Sequence, residues 1–159
     1  MILEKISGSL NRGVEISLAV IGLSLAGIVA LQVFCRYALN HSLFWSEELA
    51  RFLLVWLTFL GATVAYRRGL HASVDLLTQR LSAAGQRAAS LGIHLGAVLF
   101  FIIMMVYGWQ FAAFVRLQIS PALAIPKWIP HSIIPLSGFI MTLHALTFIQ
   151  RALSKGDEQ

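Results

Sequence analysis

Four apolar blocks dominate the chain. Ile16 to Phe34 (ISLAVIGLSLAGIVALQVF), Phe52 to Tyr66 (FLLVWLTFLGATVAY), Leu91 to Val115 and Ile133 to Ile149 contain no aspartate, glutamate, lysine or arginine. A helix rises about 1.5 Å per residue, so roughly 20 residues cross a hydrocarbon layer of about 30 Å. The first, third and fourth blocks meet that demand alone. The second meets it once Trp45 to Arg51 extend it outward. Backbone groups in lipid must be satisfied within a helix or by closing a barrel. Barrel strands alternate apolar and polar over about ten residues; these blocks are apolar throughout, so helices are expected. Composition agrees: 58% of the 159 residues are hydrophobic and 12% charged, against about 45–50% and about 25% in soluble domains. The expected class is an all-α membrane protein, one integral domain over 1–159. Its spans lie at about 16–35, 45–66, 91–115 and 132–149, and a short polar tail covers 151–159.

The first block is not expected to be a cleaved signal peptide. It exceeds the usual apolar core of about 7–15 residues, and no small-x-small cleavage site follows in QVFCRYALN. The lone Cys35 has no internal disulfide partner, and QVFC lacks the small residue that precedes a lipoprotein cysteine.

Four spans put both termini on one side. That side would hold Lys5, Arg12, Arg67, Arg68, Arg80, Arg87, Arg151 and Lys155, eight of the twelve basic residues; Arg36, Arg51, Arg116 and Lys127 would lie opposite. Lysine and arginine favour the cytoplasm, so both termini are expected inside, in a bacterial inner membrane. The net charge of +5 then reflects topology, and no nucleic-acid partner is invoked.

Between spans two and three, HASVDLLTQRLSAAGQR places Val74, Leu77, Leu81, Ala84 and Ala88 at helical spacing. Ser73 can cap the start and Asp75 sits in a favourable first turn. One reading is an amphipathic membrane-surface helix over about 73–88, with Arg80 and Arg87 contacting lipid phosphates. The other is a connector packed on its neighbours. Between spans three and four, SPALAIPKWIPHSIIP holds all four prolines, Pro121, Pro126, Pro130 and Pro135. Proline removes a backbone donor and restrains its predecessor, so a stiff extended loop is expected, with Trp128 at headgroup level. Such a loop suits either partner docking or a simple tie.

An acidic pair opens the second span, in FWSEELARFLLVW. Glu47 and Arg51 are four apart and Glu48 and Arg51 three apart, so either glutamate can pair with the arginine on a helix. Trp45 marks the interface. A solvated helix entrance and a polar handle for another protein both fit. No acidic residue falls at mid-membrane, where transporters usually place ionisable groups. Glu15 sits at the edge of span one. His94 and His144 lie within spans three and four, as a proton relay or as hydrogen-bonded structure. Gln32 and Gln110 offer interhelical hydrogen bonds, and Ala19, Gly22, Ala26 and Ala30 form a small-residue stripe for close packing. GxSxG, HExxH and phosphate-cradling glycine loops are missing, and His41, His71, His94, His131 and His144 lack metal-ligand spacing. An enzyme is not expected, nor a cofactor or metal bound by this chain.

The stretch WSEELARFLLVWLTFLGATVAYRRGLHASVDLL resembles the small membrane subunit of tripartite ATP-independent periplasmic (TRAP) transporters. The resemblance rests on Trp45, Glu47, Glu48, Arg51, Gly61, Arg67 or Arg68, His71, Val74 and Asp75. A second signature is similar through Ser120, Pro121, Ile125, Pro126, Trp128 and Pro135. Ala72 and His131 depart from the family pattern, where a bulkier aliphatic residue and a tyrosine are usual. The likeness covers about residues 10 to 150.

The resemblance implies a scaffold subunit. A larger membrane subunit would hold the organic-acid substrate and the sodium ions, and would move substrate by an elevator motion. A soluble periplasmic protein would deliver it, and this chain would brace the large subunit among phospholipids and help dock the binding protein. Arg36, Trp45, Glu47, Glu48, Arg51, Arg116, Lys127 and Trp128 are the candidate docking or partner-interface residues. Gly61, Arg67, Arg68, His71, Asp75, Pro121, Pro126 and Pro135 would be structural. Two rivals come from other classes. One is a self-sufficient, proton-coupled exporter working as a homodimer, with Glu15 as its only candidate proton site; the other is a membrane sensor or assembly protein.

Overall fold

The computed structural model describes residues 2–69 and 83–154. Helix α1 runs Ile2–Ala38, α2 Phe44–Arg67, α3 Ala83–Phe114, the single turn α4 Trp128–His131, and α5 Ile133–Ser154. Four of these are long and apolar enough to cross a membrane. Among the described residues there is no strand, only an isolated antiparallel bridge between Ile119 and Pro126.

Two helices extend past the apolar blocks that announce them. α1 starts at Ile2 and its 37 residues reach about 55 Å. Charge at Glu4, Lys5, Arg12 and Glu15 does not stop a helix, and no proline interrupts it. Its inward positions are Ser7, Asn11, Val14, Leu18, Ile21, Leu25, Ile28 and Gln32, alternately four and three apart. That is the 3.5-residue seam of helices packed at a shallow angle. The small-residue stripe lies off this seam: Ala19, Ala26 and Ala30 are exposed, and Gly22 alone approaches α2, beside Leu57. Leucine, isoleucine and valine fill the seam instead. α3 begins at Ala83, so residues 83–88 continue into the third span without a break. The remainder of the expected surface helix lies outside the described residues.

α5 is the central element, packed between α3 on one side and α1 with α2 on the other. One cluster joins Val14, Leu60, Val64, Ile133 and Ile140; the other joins Tyr66, Phe101, Met141 and Ala145. α3 and α5 touch through glycines. A Cβ on Gly138 would sit 2.9 Å from the Phe101 carbonyl oxygen and 3.0 Å from the Met105 nitrogen. One on Gly108 would sit 2.8 Å from Ile134 and 3.0 Å from Pro135. Close backbone approach through small residues is how helices gain dispersion contact in lipid. Two buried hydroxyls are satisfied by their own helices: Thr63 donates to the Leu60 carbonyl at 2.7 Å and Thr147 to Leu143 at 2.8 Å. Outward faces stay apolar, with Leu23 on α1 and Leu99 and Phe100 on α3 exposed.

Candidate functional site

Polar groups gather at the two ends of the bundle. At the end remote from the termini, Leu39 and His41 donate backbone hydrogen bonds to the Cys35 carbonyl, closing α1. Asn40 supports the turn at φ 50°, a conformation asparagine tolerates. α2 then starts at Phe44, and residues 116–127 fold back as a hairpin. In it, Ser120 N–H donates to Ile125 O at 2.9 Å and Lys127 N–H to Gln118 O at 2.8 Å.

The acidic pair divides its work. Glu47 meets Arg51 at 3.7 Å, both side chains being more than two-thirds exposed, a pairing that contributes little. Glu48 turns to the hairpin, where its Oε2 accepts the Ala122 and Leu123 amides at 2.8 and 3.0 Å. Two successive backbone donors form a small anion-binding nest. Ala124 completes it at φ 52° and donates to Ser120 O at 3.1 Å. A second strut is Trp56, whose indole N–H donates to the Pro130 carbonyl at 3.0 Å. The proline segment is thus a braced hairpin rather than the extended loop expected, because the Glu48 carboxylate accepts the Ala122 and Leu123 amides at its tip and the cross-hairpin amides of Ser120 and Lys127 find carbonyls.

The other expected residues of this end lie at the helix ends and along the hairpin. Arg36 sits 6.0 Å over its neighbour Tyr37. Trp45, Arg116 and Trp128 are exposed, and Lys127 is half-buried with its Nζ 3.3 Å from Gln118 Oε1. Pro121 is exposed, Pro126 lies in the bridge, and Pro135 is buried against Gly108.

The opposite end holds a network that sequence reading missed. Arg67 Nη1 donates to Ser7 Oγ at 2.9 Å, and Ser7 Oγ lies 2.8 Å from His144 Nδ1. Helices α1, α2 and α5 meet there. Ser7 Oγ accepts from Arg67 and keeps its own hydrogen and a second lone pair, so either imidazole tautomer of His144 satisfies the contact. Arg68 turns outward to Glu15 at 2.8 Å, and Asn11 donates to the same carboxylate oxygen at 2.9 Å. Beside them Tyr66 O–H meets His94 Nδ1 at 3.0 Å, and the His94 ring stacks on Phe148. His94 and His144 therefore belong to separate pairs; among the described residues no hydrogen bond joins them. The signal available in the sequence was Ser7 and Asn11 on the packing register of α1. Gly61 is half-buried, with nothing within 4 Å of a Cβ built on it. His71, Asp75, Arg80 and the side chain of Arg87 lie outside the described residues.

Residues 25–155 match the family model of the tripartite ATP-independent periplasmic transporters, DctQ component. The chain belongs to this family. It is a multi-pass small membrane subunit of a TRAP transporter. It is 32% identical over 143 residues to the ectoine TRAP transporter small permease protein TeaB of Halomonas elongata, covering 89% of this chain and 74% of that one. It is 24% identical over 152 residues to the sialic acid TRAP transporter small permease protein SiaQ of Vibrio cholerae, covering 92% and 84%. It also matches the isethionate TRAP transporter permease protein DctMQ of Oleidesulfovibrio alaskensis, 29% identical over 107 residues. That match takes 64% of this chain but spans only 16% of the relative's length.

Proposed function

We propose that this subunit braces a larger permease subunit in the bilayer and presents its hairpin end to a soluble, substrate-delivering protein outside. The transporter as a whole would import an organic acid coupled to sodium, both carried by the larger subunit, with this chain's termini in the cytoplasm. The observation that carries the reading is the hairpin pinned by Glu48. A docking surface needs a fixed shape, and two charge-assisted hydrogen bonds plus the Trp56 strut hold this one. Arg36 lies near the end of α1, Trp45 and Arg51 in the first turns of α2, Arg116 and Lys127 on the hairpin and Trp128 at the start of α4, all at this end of the bundle. Basic groups at a rim act mainly on association rate. The apolar outer faces of α1 and α3 supply surface for lipid and for a larger membrane partner. The match within a far longer permease protein supports such a partner.

Two measurements test this. The tagged chain, expressed with its genomic neighbours and purified in mild detergent, should bring a large multi-span protein in equal amount; a homogeneous homodimer would refute the bracing role. Reversing charge at Arg36 and Lys127 should lower uptake when the binding protein is limiting. Normal uptake by a correctly assembled complex would remove both residues from the docking face.

A further inference from the structure

Beside the Ser7–Arg67–His144 network lies a recess of about 90 Å³, lined by Ser7, Arg67, His144, Thr147 and Phe148. A cavity needs only about 10–15 Å³ of such space to hold a water, so the recess has room for a compact polar group. Its one charged group is the Arg67 guanidinium. A guanidinium carries five N–H groups. One goes from Arg67 to Ser7, and among the described residues no carboxylate lies within 4 Å of Arg67. Of the described carboxylates at this end, Glu15 is taken by Arg68 and Asn11, and Glu4 is exposed in the first turn of α1. His144 is fully buried and its Nε2 has no hydrogen-bond partner among the described residues. Gly8 gives the arginine room: a Cβ there would stand 3.4 Å from Arg67 Nη2.

We propose that this recess is a binding site for a phosphate-class oxyanion. Arg67 ends α2 at the boundary of a membrane-spanning helix, the depth at which phospholipid phosphates lie. A planar guanidinium matches a phosphate through two parallel N–H donors. The group can come from a phospholipid head or from free phosphate. The site is independent of the docking role.

The test uses the full chain in a phosphate-free detergent, with dioctanoyl phosphatidic acid, inorganic phosphate and dioctanoylglycerol as probes, followed by calorimetry. Saturable binding of one or both phosphate probes is expected, and none of the glycerol. Binding of the lipid alone identifies a headgroup site, binding of phosphate alone a free-anion site, and binding of both a site that recognises the phosphoryl group itself. Arg67→Ala should weaken binding about tenfold or more, while Arg68→Ala should match the unaltered chain. Thr147→Leu fills the recess without touching a charge, and should also abolish binding. No saturable binding by the unaltered chain, or undiminished binding by folded Arg67→Ala or Thr147→Leu, overturns the site.

Discussion

Glu48 shows how one carboxylate can decide the form of a loop. Its oxygen is the only acceptor among the described residues for the Ala122 and Leu123 amides. Hydrogen bonds to a charged group contribute about 1.5–3 kcal/mol when well shielded. One of these two is exposed, so Glu48→Ala should cost about 1–2 kcal/mol. Thermal unfolding in detergent measures it, and faster hydrogen exchange at Ala122 and Leu123 would localise it. Glu47→Ala should stay within about 0.5 kcal/mol, because its pair with Arg51 is long and solvated. Equal losses at the two glutamates would contradict the division of roles. Sequence spacing put both acids within reach of Arg51 but could not rank them. Helical spacing reports neighbours on one helix, whereas the partner of Glu48 lies 74 residues away.

Helices were legible because lipid imposes a length on each apolar block, and all four spans stand where the blocks are. Their ends were less legible. Charge marks where a membrane stops, not where a helix stops, so α1 and α3 run on through polar residues. Faces were least legible: a stripe of alanines suggested the seam of α1, yet larger aliphatic side chains occupy it. The glycines of the α3–α5 contact offer a test at this scale. A methyl on Gly138 would meet backbone atoms at 2.9 and 3.0 Å, and backbone cannot step aside as a side chain can. Gly138→Ala should therefore cost about 1–3 kcal/mol or prevent folding. Gly61→Ala meets nothing and should be neutral or stabilising by up to about 1 kcal/mol in the separate chain, since alanine is the better helix former. Detergent unfolding of the two variants compares them directly. If Gly61→Ala weakens only the assembled complex, Gly61 lies against the partner.

At the scale of the whole molecule, an even number of spans and the contact of Ser7 with Arg67 and His144 put the start of α1, the end of α2 and the late turns of α5 at one end. The hairpin held by Glu48 marks the other. Which end faces the cytoplasm follows from charge, since lysine and arginine resist translocation. Eight of the twelve basic residues belong to the terminal end and its connecting segment, so that end should be inside. The single cysteine makes the test clean. In a Cys35→Ser background, Ser42→Cys places a thiol in the exposed turn between α1 and α2. A membrane-impermeant maleimide should label it in intact spheroplasts. A cysteine appended after Gln159 should react only once the membrane is opened. The reverse pattern would turn the hairpin toward the cytoplasm, where no periplasmic protein could reach it, and the docking role would fall while the bracing role stood. Labelling of both thiols in intact spheroplasts would mean an even number of crossings after the first turn, and one of α2, α3 and α5 would have to lie along the membrane instead of through it.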